Sequence, residues 1–346
     1  MELTFVPRAQ LADRQWDDQA RQWDRPKIDR ETLQELNRRS TPEGMLRLVV
    51  HTALIVAAAW LTIIAWRYHV ALAVVPFLFY AFLVGFLNGL EHEMRHTIVF
   101  SKRLDSFSDA VYFLIHLLWK GGSRNQRVSH RIHHRYTMVK GVDPETSFPE
   151  AITRRWVWKI LGGVLVTVLT LGIPSFFKAL WDLFQRSRGR LDPKIMAHCD
   201  AADLKFIQWE SAIILVVNVL SCAGLAWLQR WDLLLLLILG PQVGQAIVSF
   251  WWLTEHIGMM FNSKDQRLCT RGVKVTRFVK FLFGGLDEHV EHHIFPAVPS
   301  RNLTRLRQAM DYPLPRRQNV ILCWQEILAI AGHKEKQPAD EFLPRM

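Results

Sequence analysis

The sequence predicts an all-α integral membrane fold with four transmembrane helices in two hairpins, interfacial helices and a cytosolic helical cap. Three observations predict it. Residues 46–66, 70–90, 206–229 and 231–253 are nearly free of charge, interrupted only by Arg47, Glu210 and Asp232. Each run has about the 20 residues that a helix needs to cross a hydrocarbon core. The joining turns, Arg67-Tyr68-His69 and Gln229-Arg230, are so short that each pair of runs must fold back as a hairpin. Finally, nine of the fourteen histidines gather near the ends of these runs.

The elements follow in chain order. Residues 1–45 are polar and charged, unlike the short apolar core of a cleavable signal sequence. The first span is therefore expected to serve as the targeting signal. The segment 1–45 reads as a cytosolic amphipathic helix, with Trp16 and Trp23 seven residues apart. It would lie on the membrane surface or pack on the rest of the protein. The stretch 46–310 reads as one membrane domain, and 311–346 as a cytosolic tail. Residues 105–119 are too short to cross and are expected in the interface. The apolar run 160–177 poses a parity question, because a fifth crossing would put the later histidines on the opposite side from the earlier ones. Gly162, Gly163, Gly172 and Pro174 break it, and Arg186, Arg188, Arg190, Lys194 and Lys205 follow it. Residues 156–180 are therefore expected to be interfacial or re-entrant. One helix is expected over 318–331, and 333–346 is expected to be disordered.

The net charge of +11 is segregated. Lys and Arg crowd the segment before the first span, ten lie in 97–155 and fourteen after 253, whereas each hairpin turn holds one Arg. By the positive-inside rule, both termini and the histidine-bearing segments face the cytosol, in a bacterial inner membrane or the endoplasmic reticulum. Basic loops beside anionic lipid are ordinary in membrane proteins, so this charge does not point to nucleic acid. The four cysteines, Cys199, Cys222, Cys269 and Cys323, have no CxxC spacing. A disulfide framework or a resident iron–sulfur cluster is not expected.

The histidines carry the chemistry. His92 and His96 stand four apart, one face of a helix. His130, His133 and His134 form an HxxHH pattern, and His289, His292 and His293 repeat it. His256 follows the fourth span. A neutral imidazole nitrogen is a common metal ligand. A structural zinc takes about four ligands and a catalytic one about three. Nine histidines therefore suggest two ions held by nitrogen at the membrane–water boundary. His51, His69, His116, His198 and His333 have no neighbour at ligand spacing and are expected to be structural. Glu91, Glu93, Asp143, Glu255, Asp287, Glu288 and Glu291 are candidate acceptors for the second ring N–H of the ligands. The alternative is that they pair with the many arginines.

The stretch His92-Glu93-Met94-Arg95-His96 also fits HExxH, the signature of zinc metalloproteases. That reading leaves seven clustered histidines idle. A metal transporter would place ligands near the bilayer midplane, where these spans hold no histidine pair.

The three boxes HxxxH, HxxHH and HxxHH, in this order and separated by a membrane hairpin, resemble those of the integral-membrane fatty acid desaturase and hydroxylase superfamily. His133, His134, Arg135, Tyr136 and Thr137, leading to Asp143, Pro144 and Glu145, resemble the stretch after its second box. The run from His292 through Phe295 and Pro296 to Pro299 resembles its third. Thr254-Glu255-His256-Ile257-Gly258 resembles the extra-histidine segment of membrane alkane hydroxylases. The likeness covers roughly residues 45–310. It implies a non-haem di-iron centre, O2 as co-substrate and a fatty acid or acyl-lipid substrate. Its implied ligands are His92, His96, His130, His133, His134, His256, His289, His292 and His293. With no haem or flavin motif, electrons would come from a ferredoxin, rubredoxin or cytochrome-type donor docking on the basic face. The first box has three intervening residues where many acyl desaturases have four. Desaturation is favoured, and hydroxylation or decarboxylation to a terminal alkene uses the same metals. Ala81, Gly85, Asn88 and Gly89, on the helix face leading to His92, could open a groove for an acyl chain, or simply let helices pack closely.

Overall fold

The computed structural model describes residues 3–17 and 22–346. The chain forms two compact units that interleave along the sequence. One comprises residues 40–128 and 163–249, and the other 1–39, 129–162 and 250–346. Almost all regular structure is helical; the strands are a few short pieces.

The membrane unit is built from the apolar runs. Among the described residues, four helices are long and apolar enough to cross a membrane. The first, Thr41–Tyr68, starts after Ser40 with Pro42 and Glu43 in its first turn, where a fixed φ and a negative charge suit the free N–H groups. The second, Val74–Arg95, returns after the turn at His69. The third, Ala201–Trp227, is capped by Asp200, whose side chain accepts from the Asp203 N–H. The fourth begins at Trp231, passes through a π-helical turn at Leu235–Leu239 and continues over Gly240–Trp252.

The π turn loosens the carbonyl ladder, which apolar surroundings penalise unless the freed groups find donors. Lys120 supplies them. Its ammonium, 2 % exposed, donates to the carbonyls of Leu118, Leu237 and Ile238 at 2.9–3.0 Å. The second and fourth spans cross at two glycines. A Cβ on Gly85 would stand 2.2 Å from the Gly244 carbonyl oxygen, and one on Gly244 would stand 2.4 Å from that of Ala81. The groove considered at Ala81 and Gly85 is therefore closed by backbone-to-backbone packing.

Between the hairpins, Asp105–Trp119 is a helix. The run at 160–177 is split between two helices, Arg154–Leu169 and Ile173–Ser187, bent by 99°. Leu171 and Gly172, both at positive φ, form the corner. A Cβ at Gly172 would meet that of Gln242 at 2.5 Å.

The second unit corrects two expectations. Among its described residues up to 39, the N-terminal segment is not one amphipathic helix: Thr4–Pro7 is a strand, Arg8–Arg14 a 3-10 turn and Arg30–Leu36 α-helical. The part of that expectation falling on residues 1–2 and 18–21 lies outside the described residues. The Trp16 and Trp23 rings do meet, at 4.7 Å, although neither residue is in a helix. The tail is not disordered. Asp340–Leu343 pairs antiparallel with Thr4–Pro7. Phe5 stacks on His333 at 3.7 Å, and Lys334 forms a buried pair with Glu341 at 2.8 Å. Long-range pairing of this kind outweighs the local pattern that suggested a helix.

The helix expected over 318–331 is Val320–Lys334, capped by Asn319. Its Trp324, Ile327 and Ile330 pack with Met138, Ile152, Ile257 and Phe261 into one apolar core. A smaller core joins Leu36 to Val290, Ile294, Leu303 and Leu306. The histidine-bearing turns are held against these cores.

Candidate metal centre

Two helices and one turn of the second unit carry seven of the nine singled-out histidines. His130, His133 and His134 lie in the helix Ser123–Arg135, and His289, His292 and His293 in His289–Ile294. His256 follows a 3-10 turn, Leu253–Glu255, at the end of the fourth span. The i, i+3, i+4 spacing sets three rings of each box on one side of its helix.

The rings face one another through Nε2. The Nε2 of His134 lies 3.0 Å from that of His130 and 3.1 Å from that of His292. In a second group, the Nε2 of His289 lies 3.1 Å from that of His293 and 3.3 Å from that of His256. His133, His256 and His293 also offer nitrogens within 4.8 Å of one another. All seven are buried except His134, which is half-buried.

The partners behind the rings fix the tautomers. The Asp143 carboxylate accepts from His133 Nδ1 at 2.9 Å, and the Glu145 carboxylate from His130 Nδ1 at 3.1 Å. The Cys269 carbonyl accepts from His256 Nδ1 at 2.9 Å. The Thr137 hydroxyl donates its one proton to the His133 carbonyl, so its oxygen accepts from His293 Nδ1 at 3.2 Å. Each Nδ1 thus carries the hydrogen, and each Nε2 of these four rings is a bare lone pair pointing inward. Burial drives the His256 pKa down to about 3 and that of His293 well below its ordinary value, so both rings are neutral.

Converging lone pairs repel unless a cation lies among them. Ligand nitrogens about 2.1 Å from a common ion stand roughly 3.0–3.4 Å apart in octahedral to tetrahedral geometry. The Nε2 separations fall in that range. The donor set therefore fits metal ions of nitrogen preference. All-imidazole donors do not suit magnesium or calcium, which take oxygen.

The carboxylates divide. Burial raises the Asp143 carboxyl, but the His133 imidazole beside it and the hydrogen bonds from His133 and Thr146 outweigh it, leaving its pKa below the usual value. Asp143 also accepts from the Met138 N–H and the Thr146 hydroxyl. Glu255 plays a different part from the one expected. Its Oε2 lies 3.3 Å from the inward-facing Nε2 of His289, so it stands among the converging nitrogens rather than behind a ring. The other candidate acceptors pair with cations: Asp287 and Glu288 with Arg317 and Lys280, and Glu291 with Arg307. Glu145, Thr137 and the Cys269 carbonyl were not among the acceptors expected from sequence. Glu145 had a visible signal, fifteen residues from His130, whereas Thr137 and Cys269 had none.

His92 and His96 belong to the membrane unit. His92 is buried near the end of Val74–Arg95 and His96 follows it, their ring centroids 5.2 Å apart. Nearby, Glu91 pairs with Arg95 at 2.6 Å and with His116 at 3.0 Å, and Glu93 pairs with Arg47. The five remaining histidines have structural partners. His51 Nε2 bonds the Leu83 carbonyl, His69 caps a turn, His116 meets Glu91, His198 bonds the Lys194 carbonyl and His333 meets Asp340.

Apolar helical spans joined to imidazoles converging in this way define a membrane protein with a candidate metal centre. Residues 68–321 match the family described as fatty acid desaturase, and the chain belongs to that family. It is also similar to an acyl-lipid (9-3)-desaturase of Physcomitrium patens, at 29 % identity over 90 residues. That match covers 24 % of this chain and 17 % of the relative.

Proposed function

We propose that this chain is an O2-dependent di-iron membrane oxidase of fatty acids or acyl lipids, and that its reaction is desaturation. The observation that carries the reading is the pair of imidazole groups whose lone pairs converge with tautomers already set. The proposed ligands are His130, His133, His134, His256, His289, His292 and His293, to which the HxxxH motif adds His92 and His96. When bound, two irons with O2, two protons and two electrons from a donor would take two hydrogens from adjacent carbons and release two waters. The protein's own part is to keep the imidazoles neutral, fix their orientation and hold Glu255 beside them. Asp143, Glu145, Thr137 and the Cys269 carbonyl hold the Nδ1 protons while the ligands face inward. The donor is a separate ferredoxin, rubredoxin or cytochrome-type protein drawn to basic surface. Both termini and the metal centre face the cytosol, supported by the basic segments flanking the spans.

The test is to express the chain in a bacterial host, profile lipids and volatiles by mass spectrometry, and assay metal in the purified protein. New double bonds with two irons per chain support the reading. Hydroxylated chains or terminal alkenes would move the reaction to the hydroxylase or decarboxylase branch with the same centre. A single zinc with proteolytic activity would overturn it in favour of the HExxH alternative.

A further inference from the structure

The turn that leads into His256 is pinned at several points by one neighbouring segment. Leu253–Glu255 is a 3-10 turn at the end of the fourth span. The Arg271 N–H donates to the Glu255 carbonyl at 2.7 Å, and Arg271 Nη1 donates to the carbonyls of Thr254 and Ile257. Arg271 is itself fixed by Glu326, which accepts from its Nε at 2.9 Å. With the Cys269 carbonyl behind the His256 ring, the backbone of 254–257 has little freedom. The side chains of Glu255 and His256 are held where the turn aims them.

Glu255 is aimed inward. It is 5 % exposed, and its Oε2 lies 3.3 Å from His289 Nε2. That same nitrogen stands 3.3 Å from His256 Nε2 and 3.1 Å from His293 Nε2. The carboxylate oxygen therefore keeps the spacing from His289 that the two imidazole nitrogens keep. Carboxylate oxygen and imidazole nitrogen bind a zinc-sized ion at nearly one distance, about 2.0–2.2 Å, so one ion suits both at this spacing.

A buried carboxylate is paired with a cation or ligates a metal, because leaving it bare in an apolar interior is costly. Asp265, Glu291, Glu326 and Glu341 are buried and take the first course, with Arg267, Arg307, Arg271 and Lys334. Glu255 does not. Among the described residues no Lys or Arg forms an ion pair with it, and its Oε1 is buried without a hydrogen-bond partner.

We propose that Glu255 is an oxygen ligand of the ion held by His256, His289 and His293, a tenth protein ligand beside the nine histidines. That an ion sits there rests on the reading under Proposed function. That its donors include a carboxylate goes beyond it. Glu255 brings a negative charge to a donor set that is otherwise neutral imidazole, and a carboxylate is a harder donor than imidazole. The ion beside Glu255 and the ion near His134 are therefore inequivalent.

Titration of the metal-free, full-length protein with Co2+ in non-ionic detergent tests this without turnover, because the visible bands of Co2+ change with its ligands. The parent should bind two ions with distinct bands. In Glu255→Gln, which keeps the side chain's shape and removes its charge, one ion should bind more than roughly 100-fold more weakly, past the range of groups that sit behind a ligand. The bands of that ion should shift as well. Glu145→Gln, which alters a carboxylate behind a ring, should leave the bands in place. Both ions bound with the parent's bands in Glu255→Gln would overturn the proposal and leave Glu255 a hydrogen-bond acceptor of His289. Infrared difference spectra, Co2+-bound minus metal-free, decide the matter even if Glu255→Gln fails to fold. With isotope-labelled glutamate, a carboxylate stretch should shift on Co2+ binding in the parent and in Glu145→Gln, and no shift would overturn the proposal. A parent that binds no Co2+ would fail the metal centre as a whole. Two-ion binding with these signatures but no lipid oxidation would fail only the reaction assigned to it.

Discussion

The two imidazole groups differ in how firmly they are held. In the group of His133, His256, His289 and His293, every ring is buried, and three of the four have a fixed acceptor behind Nδ1: Asp143, the Cys269 carbonyl and Thr137. Asp143 is itself 1 % exposed and bonded to Met138 and Thr146. In the group of His130, His134 and His292, His134 is half-buried, and the carboxylate behind His130, Glu145, has a side chain 24 % exposed. Buried, fully bonded partners cannot be replaced by water, whereas half-exposed ones can. The first group is therefore a rigid, pre-set site, and the second a more adjustable one.

Four variants would break or sharpen this contrast. The largest effect is expected for His256→Ala, which removes an inward lone pair from the rigid group. Iron measured in the purified protein should fall by about one ion per chain, and lipid product should drop by more than roughly 100-fold, beyond the range of partner substitutions. Retention of both irons would break the assignment. Next is Asp143→Ala, which strands His133 Nδ1, the Met138 N–H and the Thr146 hydroxyl. Metal affinity should weaken by about 10–100-fold, and thermal unfolding should reveal a loss of about 1–3 kcal/mol or more.

Thr137→Val should cost about tenfold in iron affinity, because His293 Nδ1 loses its acceptor while the side-chain shape is kept. Thr137→Ser should restore it, which a purely steric role would not predict. The smallest effect is expected for Glu145→Gln, since the amide oxygen and nearby water can still accept from His130. A chelator competition in which Glu145→Gln loses iron faster than Asp143→Ala would reverse the ranking of the two groups.

Spacing made much of this legible. The four apolar runs set the membrane helices, because apolar length is a local property. The HxxHH repeats set six of the rings, because three- and four-residue separations fix a helix face. The partners behind the rings were harder to see. His293 and Thr137 are 156 residues apart, and the acceptor of His256 is a backbone carbonyl that carries no residue signature. The acidic residues nearest in sequence to the third box, Asp287, Glu288 and Glu291, instead pair with Arg307, Arg317 and Lys280, because charge complementarity across the fold outweighs proximity along the chain. At Gly85 the sequence left an acyl groove and close helix packing both open, and the structure shows packing: small residues mark close approach, and only the opposing Gly244 reveals what approaches. The N-terminal strand was illegible because its pairing partner lies more than 330 residues away.

That last pairing bears on how the protein is made. Thr4–Pro7 leaves the ribosome well before Asp340–Leu343, so this strand waits through the synthesis of more than 330 residues for its mate. A chain stalled before residue 340 would carry Phe5 with neither Phe342 nor a settled His333 to cover it, leaving an unpaired edge for proteases and chaperones to recognise.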